Sequence, residues 1–281
     1  MNRERNVEML GQYLITFREV LEAALITSIV IAYLSRTGRR LLLRYVWCGV
    51  ASATMASIIL GISIWLMYGV LPKPVAALFE GIAGLIAVVV LSSMIYWMAT
   101  KGKELKAEVE QRVEAIATRG ATLGLVSFTF IAVFREGLET VLFLTPFLVT
   151  DAVATIAGLL LGMLTSLALA YGIFRVGIKI DIRRFFYFTS ILLVLLSGGL
   201  AGYGVHELIE GTGSSPWGWL GQPAYDLQIP SDNPLHHKGI IGSIFAVMFG
   251  YTVKAEWARV IVHFSYLALA LPLVIWIYKK K

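Results

Sequence analysis

The chain has 281 residues, of which 58% are hydrophobic and only 15% charged. A soluble domain carries about 25% charged residues, so this deficit excludes an ordinary globular protein and makes lipid the main solvent. The net charge of +6 does not signal nucleic acid, because the basic residues sit in short patches between apolar runs, the pattern that orients membrane proteins.

A spanning helix needs about 20 mainly apolar residues. The first candidate covers roughly 9–34 and carries Arg18, Glu19 and Glu22 near its middle. A signal-peptide core is short and uncharged, so this segment is expected to be retained as the first span. Cys48, the single cysteine, excludes an intrachain disulfide or a thiolate cluster and reads as a small packing residue. Further spans are expected at 46–71, 75–99, 122–149, 152–176, 185–208 and 257–278, seven in all. Leu71-Pro72-Lys73-Pro74 reads as a tight connection, as does the region around Pro146 and Asp151. Residues 101–119 place Leu105, Val109, Val113 and Ile116 at helical spacing among charges, which suits an amphipathic helix on the membrane surface. Within the long connection 209–256, Gly211 to Pro234 reads as loop. Gly239 to Tyr251 is apolar but too short to span, and suits a re-entrant or interfacial helix.

Lys and Arg alternate between connections. Linkers 35–45, 100–121 and 175–184 and the C-terminal tail together hold sixteen, and the other side holds six: Arg3, Arg5, Lys73, Lys238, Lys254 and Arg259. The positive-inside rule then puts the N-terminus outside and the C-terminus in the cytoplasm.

One sequence element occurs twice. Phe17-Arg18-Glu19-Val20-Leu21-Glu22 returns as Phe134-Arg135-Glu136-Gly137-Leu138-Glu139, identical at five of six positions. Each copy lies in the first of three spans. Three is odd, so the second group must insert with opposite polarity, as in the inverted repeats of secondary transporters, whose substrate sites lie where the halves meet. The expected fold is therefore an all-α integral membrane protein of seven transmembrane helices. It is one domain over 1–281, with a first repeat at about 9–99, a cytoplasmic linker 100–121, a second repeat at about 122–208, an outer loop 209–256 and a last helix 257–278.

With about 100° between successive helical residues, Arg18, Glu19 and Glu22 share one face, and so do Arg135, Glu136 and Glu139. A charge at the bilayer centre costs about 2.5–3.5 kcal/mol on insertion scales, so all six must face the bundle interior and find partners. Arg18 can pair with Glu22 and Arg135 with Glu139, at i and i+4. Four carboxylates then face two guanidiniums, leaving a formal surplus of two negative charges that a passing cation could neutralise. Carboxylate oxygens suit hard cations such as ferric iron, Mg, Mn and Ca, whereas copper(I) prefers sulfur. The eight methionines form no dense run, and Met94 with Met98 reads as ordinary packing. Carboxylates alone do not separate iron from manganese. The competing structural reading is a pair of buried salt bridges locking two helices together.

The duplicated Arg-Glu-x-x-Glu motif resembles the iron permease family that includes the fungal high-affinity permease and the bacterial EfeU-type permeases. Phe79-Glu80-Gly81, followed by Ala87, Val90-Leu91, Met94 and Trp97-Met98, is similar to the family's third span. Val205-His206-Glu207-Leu208 with Glu210-Gly211 resembles the end of its sixth, and Phe249-Gly250-Tyr251 a short motif before its last. The resemblance covers about Gly11 to Tyr266. It implies import of iron into the cytoplasm, with iron as cargo and no permanently bound cofactor, and no enzyme activity. It also implies work alongside a ferroxidase or a periplasmic iron-handling protein; an oligomer is compatible with it, and nucleic acid is not a partner. Val20 departs from the family's usual Gly at the third motif position, so packing around the first span is expected to differ there.

The metal-facing residues are then Glu19, Glu22, Glu136 and Glu139, with the motif arginines Arg18 and Arg135. Glu80, at the outer end of the third span, is either a ligand for the arriving ion or an interfacial carboxylate. His206, Glu207 and Glu210 share a helix face and are candidates to receive metal, against the plainer reading of an aqueous helix end. His236-His237, with Asp226 and Asp232, reads as loop, and His263 as a hydrogen-bonded packing residue. Tyr13, Tyr96, Tyr203, Trp217 and Trp219 suit interfacial aromatic belts. No phosphate-cradling Gly-x-x-x-x-Gly-Lys-Ser/Thr sequence is present, so ATP hydrolysis by this chain is not expected. Two rivals stay open: transport of another metal such as manganese or lead, and a metal-dependent membrane hydrolase using paired carboxylates.

Overall fold

A computed structural model describes residues 5–101, 104–118, 120–176, 182–230, 233–236, 242, 245–246 and 249–280. Among the described residues, eight α-helices carry the architecture: α1 (Arg5–Arg36), α2 (Leu43–Tyr68), α3 (Lys73–Lys101), α4 (Leu105–Thr118), α5 (Thr122–Thr150), α6 (Ala152–Tyr171), α7 (Ile182–Thr212) and α8 (Trp257–Lys280). Five of them, α2, α3, α6, α7 and α8, are long and apolar enough to cross a membrane. The outward faces of α2 (Met55, Ile58, Ile59, Ile62) and α6 (Ile156, Leu160, Leu164) are exposed and apolar, as lipid-facing surface is. This is an all-α, multi-pass membrane protein. α1 and α5 have 32 and 29 residues, but each carries three motif charges amid its apolar residues.

Local chemistry sets the helix ends. α1 closes on Gly38, whose φ of 74° suits glycine, and Arg39 N donates back to Leu34 O at 2.8 Å, a Schellman closure. Asp151 caps α6 by accepting from Ala154 N at 3.0 Å. Pro146 lies inside α5, so the tight connection expected around Pro146 and Asp151 falls at Asp151 alone. A proline within a buried helix is tolerated where neighbours satisfy the freed backbone groups. α4 forms as expected, burying Val109 and Val113 with Leu34, Val46 and Leu125.

The helices associate in an interleaved pattern: α1 along α6, α2 along α5, α3 along α7, with α8 on α7. Close approach depends on small residues spaced by four. On α6, a Cβ at Gly158 would meet Met9 O, Gln12 Cβ and Tyr13 N at 3.2 Å or less, and one at Gly162 would meet Tyr13 O, Thr16 Cβ and Phe17 N. Ser166, next on that face, donates to Phe17 O. On α2, a Cβ at Gly49 would meet Val126 O, Thr129 Cβ and Phe130 N, and Gly61 faces Val141. Counted back from the motif arginine, the three α5 positions at Gly49 and the three α1 positions at Gly158 are the same. Residue numbers rise together in both pairs, so α1 runs parallel to α6 and α2 parallel to α5. In α3 and α7, Gly81 meets Gly204 while Gly211 meets Leu78 and Pro74, an antiparallel crossing. The largest core cluster joins Ile15, Ala87, Leu91, Phe143, Leu193, Leu196 and Leu200.

The long connection between α7 and α8 contains more order than its composition suggests. After a helical turn at Ser215–Gly221, strand β1 (Pro223–Asp226) pairs antiparallel with β2 (Lys254–Glu256). The expected short helix over 239–251 lies largely outside the described residues; Gly242, Phe245, Ala246 and Phe249 within it have helical backbone.

Candidate metal site

The motif acids converge where α1 meets α5. Arg18 is fully enclosed. Its Nη1 donates to Glu19 Oε1 at 2.8 Å and to Met94 Sδ at 2.7 Å, and its Nη2 lies 2.9 Å from Glu22 Oε1. Met94 is thus an acceptor for the buried guanidinium, which corrects its reading as ordinary packing. Arg135 repeats the i, i+4 pair, with Nε donating to Glu139 Oε1 at 2.9 Å. Its setting differs, however: its side chain is 47% exposed and its guanidinium stands 5.4 Å over the Trp97 ring.

Glu19, Glu136 and Glu139 are buried, and one carboxylate oxygen from each lies within 4.8 Å of the others. Glu22 is within electrostatic reach of Glu136 and Glu139. Three of the acids keep a buried oxygen without a hydrogen-bond donor among the described residues, Glu19 Oε2, Glu136 Oε2 and Glu139 Oε2, whereas Glu22 Oε1 is paired with Arg18. Orphaned buried acceptors are costly, and three on converging acids make a cage that a cation would satisfy. Three further buried oxygens without donors, Gln12 Oε1, Thr16 Oγ1 and Thr129 Oγ1, escaped the sequence reading. Their signal was polar residues three and seven before Glu19 and seven before Glu136, on the motif face of apolar helices.

Gly137 and Val20, the one mismatch between the copies, differ for a packing reason. A Cβ at Gly137 would fall 2.0 Å from Ser57 Oγ, whereas Val20 is accommodated partly buried in α1.

A second cluster occupies the C-terminal end of α7. One ligand atom from each of His206, Glu207 and Glu210 lies within 4.8 Å of the others, with His206 Nε2 3.9 Å from Glu210 Oε2. His206 Nδ1 lies 3.1 Å from Glu256 Oε2 on β2. Burial works to raise the Glu256 carboxyl, but the hydrogen bond and charge of His206 outweigh it and hold the carboxyl below its usual range. Glu80 is 8% exposed. Its Oε1 accepts from Tyr68 and its Oε2 from Tyr203, so it is a buried carboxylate capped by two phenols. Tyr203 thus has a hydrogen-bond partner inside the protein.

The remaining candidates separate from both clusters. Asp226 Oδ1 accepts from Gln228 N within its own turn, and His237 and Asp232 lie outside the described residues. His263 is buried against Phe264, and its Nδ1 finds no hydrogen-bond partner among the described residues; a Cβ at Gly250 would collide with the ring.

Residues 9–276 match the iron permease FTR1 family. The chain is 34% identical over 268 residues to the ferrous iron permease EfeU of Yersinia pestis, covering 94% of this chain and 93% of the relative. It is 34% identical over 266 residues to the ferrous iron permease EfeU of Escherichia coli O6:H1, covering 94% of each. A protein of Archaeoglobus fulgidus described as uncharacterized is 43% identical over 269 residues, 95% of each chain. No solved structure matches.

Proposed function

The chain belongs to the iron permease FTR1 family, and from that membership we propose that it imports iron into the cytoplasm through the carboxylate cage formed by its two Arg-Glu-x-x-Glu motifs. The observation that carries this reading is the meeting of Glu19, Glu136 and Glu139 within 4.8 Å, each with an unpartnered oxygen, contributed by helices from both halves. Those oxygens stand in for the water that an entering iron ion gives up. Arg18 and Arg135 hold the acids apart and offset part of their charge, so the ion is bound without being trapped.

The proposed topology has seven spans, with α1 and α5 added to the five apolar ones, the N-terminus outside and the C-terminus in the cytoplasm. The matched approaches of Gly49 to α5 and Gly158 to α1 support an inverted repeat of three plus three helices. So does the antiparallel relation of α1 and α5, which follows because α6 doubles back from α5 at Asp151 and runs parallel to α1. Iron is received at the outer end by His206, Glu207 and Glu210, passes Glu80, and reaches the cage. The membrane potential favours inward movement by about 2.3 kcal/mol per charge per 100 mV. A ferroxidase or a periplasmic iron-handling protein would supply the ion.

Radioactive iron uptake into proteoliposomes tests this. Glu19→Gln, Glu22→Gln, Glu136→Gln and Glu139→Gln should each reduce uptake at least about tenfold, the effect of losing roughly 1.4 kcal/mol of ion stabilisation, while insertion is unchanged. Wild-type uptake in all four variants would remove the cage from the pathway. The same donor set also suits other hard or divalent cations; saturable manganese or lead uptake against which iron does not compete would move the assignment to that metal.

A further inference from the structure

We propose that Glu256 is a positioning residue for the outer site, fixing His206 so that its Nε2, together with Glu207 and Glu210, faces a divalent transition-metal cation. The inference rests on the reading of that cluster as the place where the ion is received. His206 Nδ1 lies 3.1 Å from Glu256 Oε2. A carboxylate only accepts, so Nδ1 carries the proton, and whenever the ring is neutral its lone pair is on Nε2. Nε2 is directed at Glu210, 3.9 Å from Oε2. That separation is too long for a hydrogen bond and leaves room for an ion bonded to both atoms at about 2.0–2.2 Å. Metal-binding imidazoles commonly give their other N–H to a carboxylate, which fixes the ring and raises its basicity.

The backbone that carries Glu256 is placed without help from His206. Glu256 pairs in register with Pro223, the neighbouring Ala255 is 2% exposed, and Trp257 N donates to Gln222 O at 3.1 Å. The outer hairpin is therefore the part of the molecule that presets the histidine. The consequence is a division of labour. An imidazole nitrogen with two carboxylates suits borderline first-row divalent ions, whereas the all-oxygen cage also suits Mg and Ca. Discrimination against those abundant ions is exercised at the outer end, before the cage.

The test uses the full chain in detergent with Co2+ as a visible probe and 15N-labelled histidine. In the wild type, neutral His206 should be the Nδ1–H tautomer, and Co2+ should ligate its Nε2. Glu256→Ala should weaken Co2+ binding about 10–100-fold and release the tautomer. Glu256→Gln, whose amide oxygen still accepts from Nδ1–H, should keep the tautomer and bind at intermediate strength. An Nε2–H tautomer in the wild type overturns the positioning role and needs no variant that must fold. So does equal Co2+ affinity in Glu256→Ala, and in both cases the outer site itself survives. Co2+ binding in the wild type without His206 overturns the outer site and this inference with it.

Discussion

Arg18 and Arg135 hold equivalent places in a repeated motif, yet their side chains are 2% and 47% exposed. Removing one partner of a buried ion pair strands the other charge and costs about 3–5 kcal/mol; Arg135 is half exposed, so solvent screens part of its interaction with buried Glu139. Arg18→Ala should therefore lower stability more than Arg135→Ala. Unfolding of the two variants in detergent measures the difference, and equal losses would contradict the assigned burial. Met94→Leu keeps volume but removes the Sδ acceptor from Arg18, and should cost about 1 kcal/mol in the same measurement. The motif acids were legible because six charges in apolar helices leave few places to face. The distant partners of Arg18, Glu80 and His206 were not. Met94, Tyr203 and Glu256 lie 76, 123 and 50 residues away, and no local spacing announces contacts across the bundle.

The α2–α5 and α1–α6 pairs pack through rows of small side chains: Gly49, Ala53, Ser57 and Gly61 on α2, and Gly158, Gly162, Ser166 and Ala170 on α6. Lipid tails are as apolar as leucine, so helix association in a membrane draws on such close packing. Gly49→Val and Gly158→Val each force a side chain against the backbone of the facing helix, and overpacking of this kind costs about 1–3 kcal/mol. Thermal unfolding monitored by tryptophan fluorescence should register both losses; an unchanged midpoint in either would argue against that contact. The spacing by four is present in the sequence, but it names no partner, so which helices pair could not be read there. The β1–β2 hairpin escaped for a different reason. Strands of four and three residues separated by a long connection give alternation too few positions to register.

At the scale of the whole molecule, hydropathy alone counts five spans among the described residues, and the two helices that the proposed topology adds to them are those that carry the motif. The charges that would handle the ion hide their own helices from an apolarity criterion, while the repeat reveals them. The proposed topology is open to labelling in a Cys48→Ser background. Thr37→Cys and Glu104→Cys should be protected from an impermeant maleimide applied outside, and Lys73→Cys and Ser214→Cys should react; the opposite pattern would invert the protein. The interleaving of the halves has a consequence for biosynthesis. The small-residue groove that receives α1 lies on α6, which the ribosome completes more than a hundred residues later. Until then Arg18, Glu19 and Glu22 must wait in the translocon or the bilayer with only one another as counter-ions. A nascent chain stopped after α3 should therefore remain extractable or chaperone-bound, and commit to its final depth only once the second half has emerged.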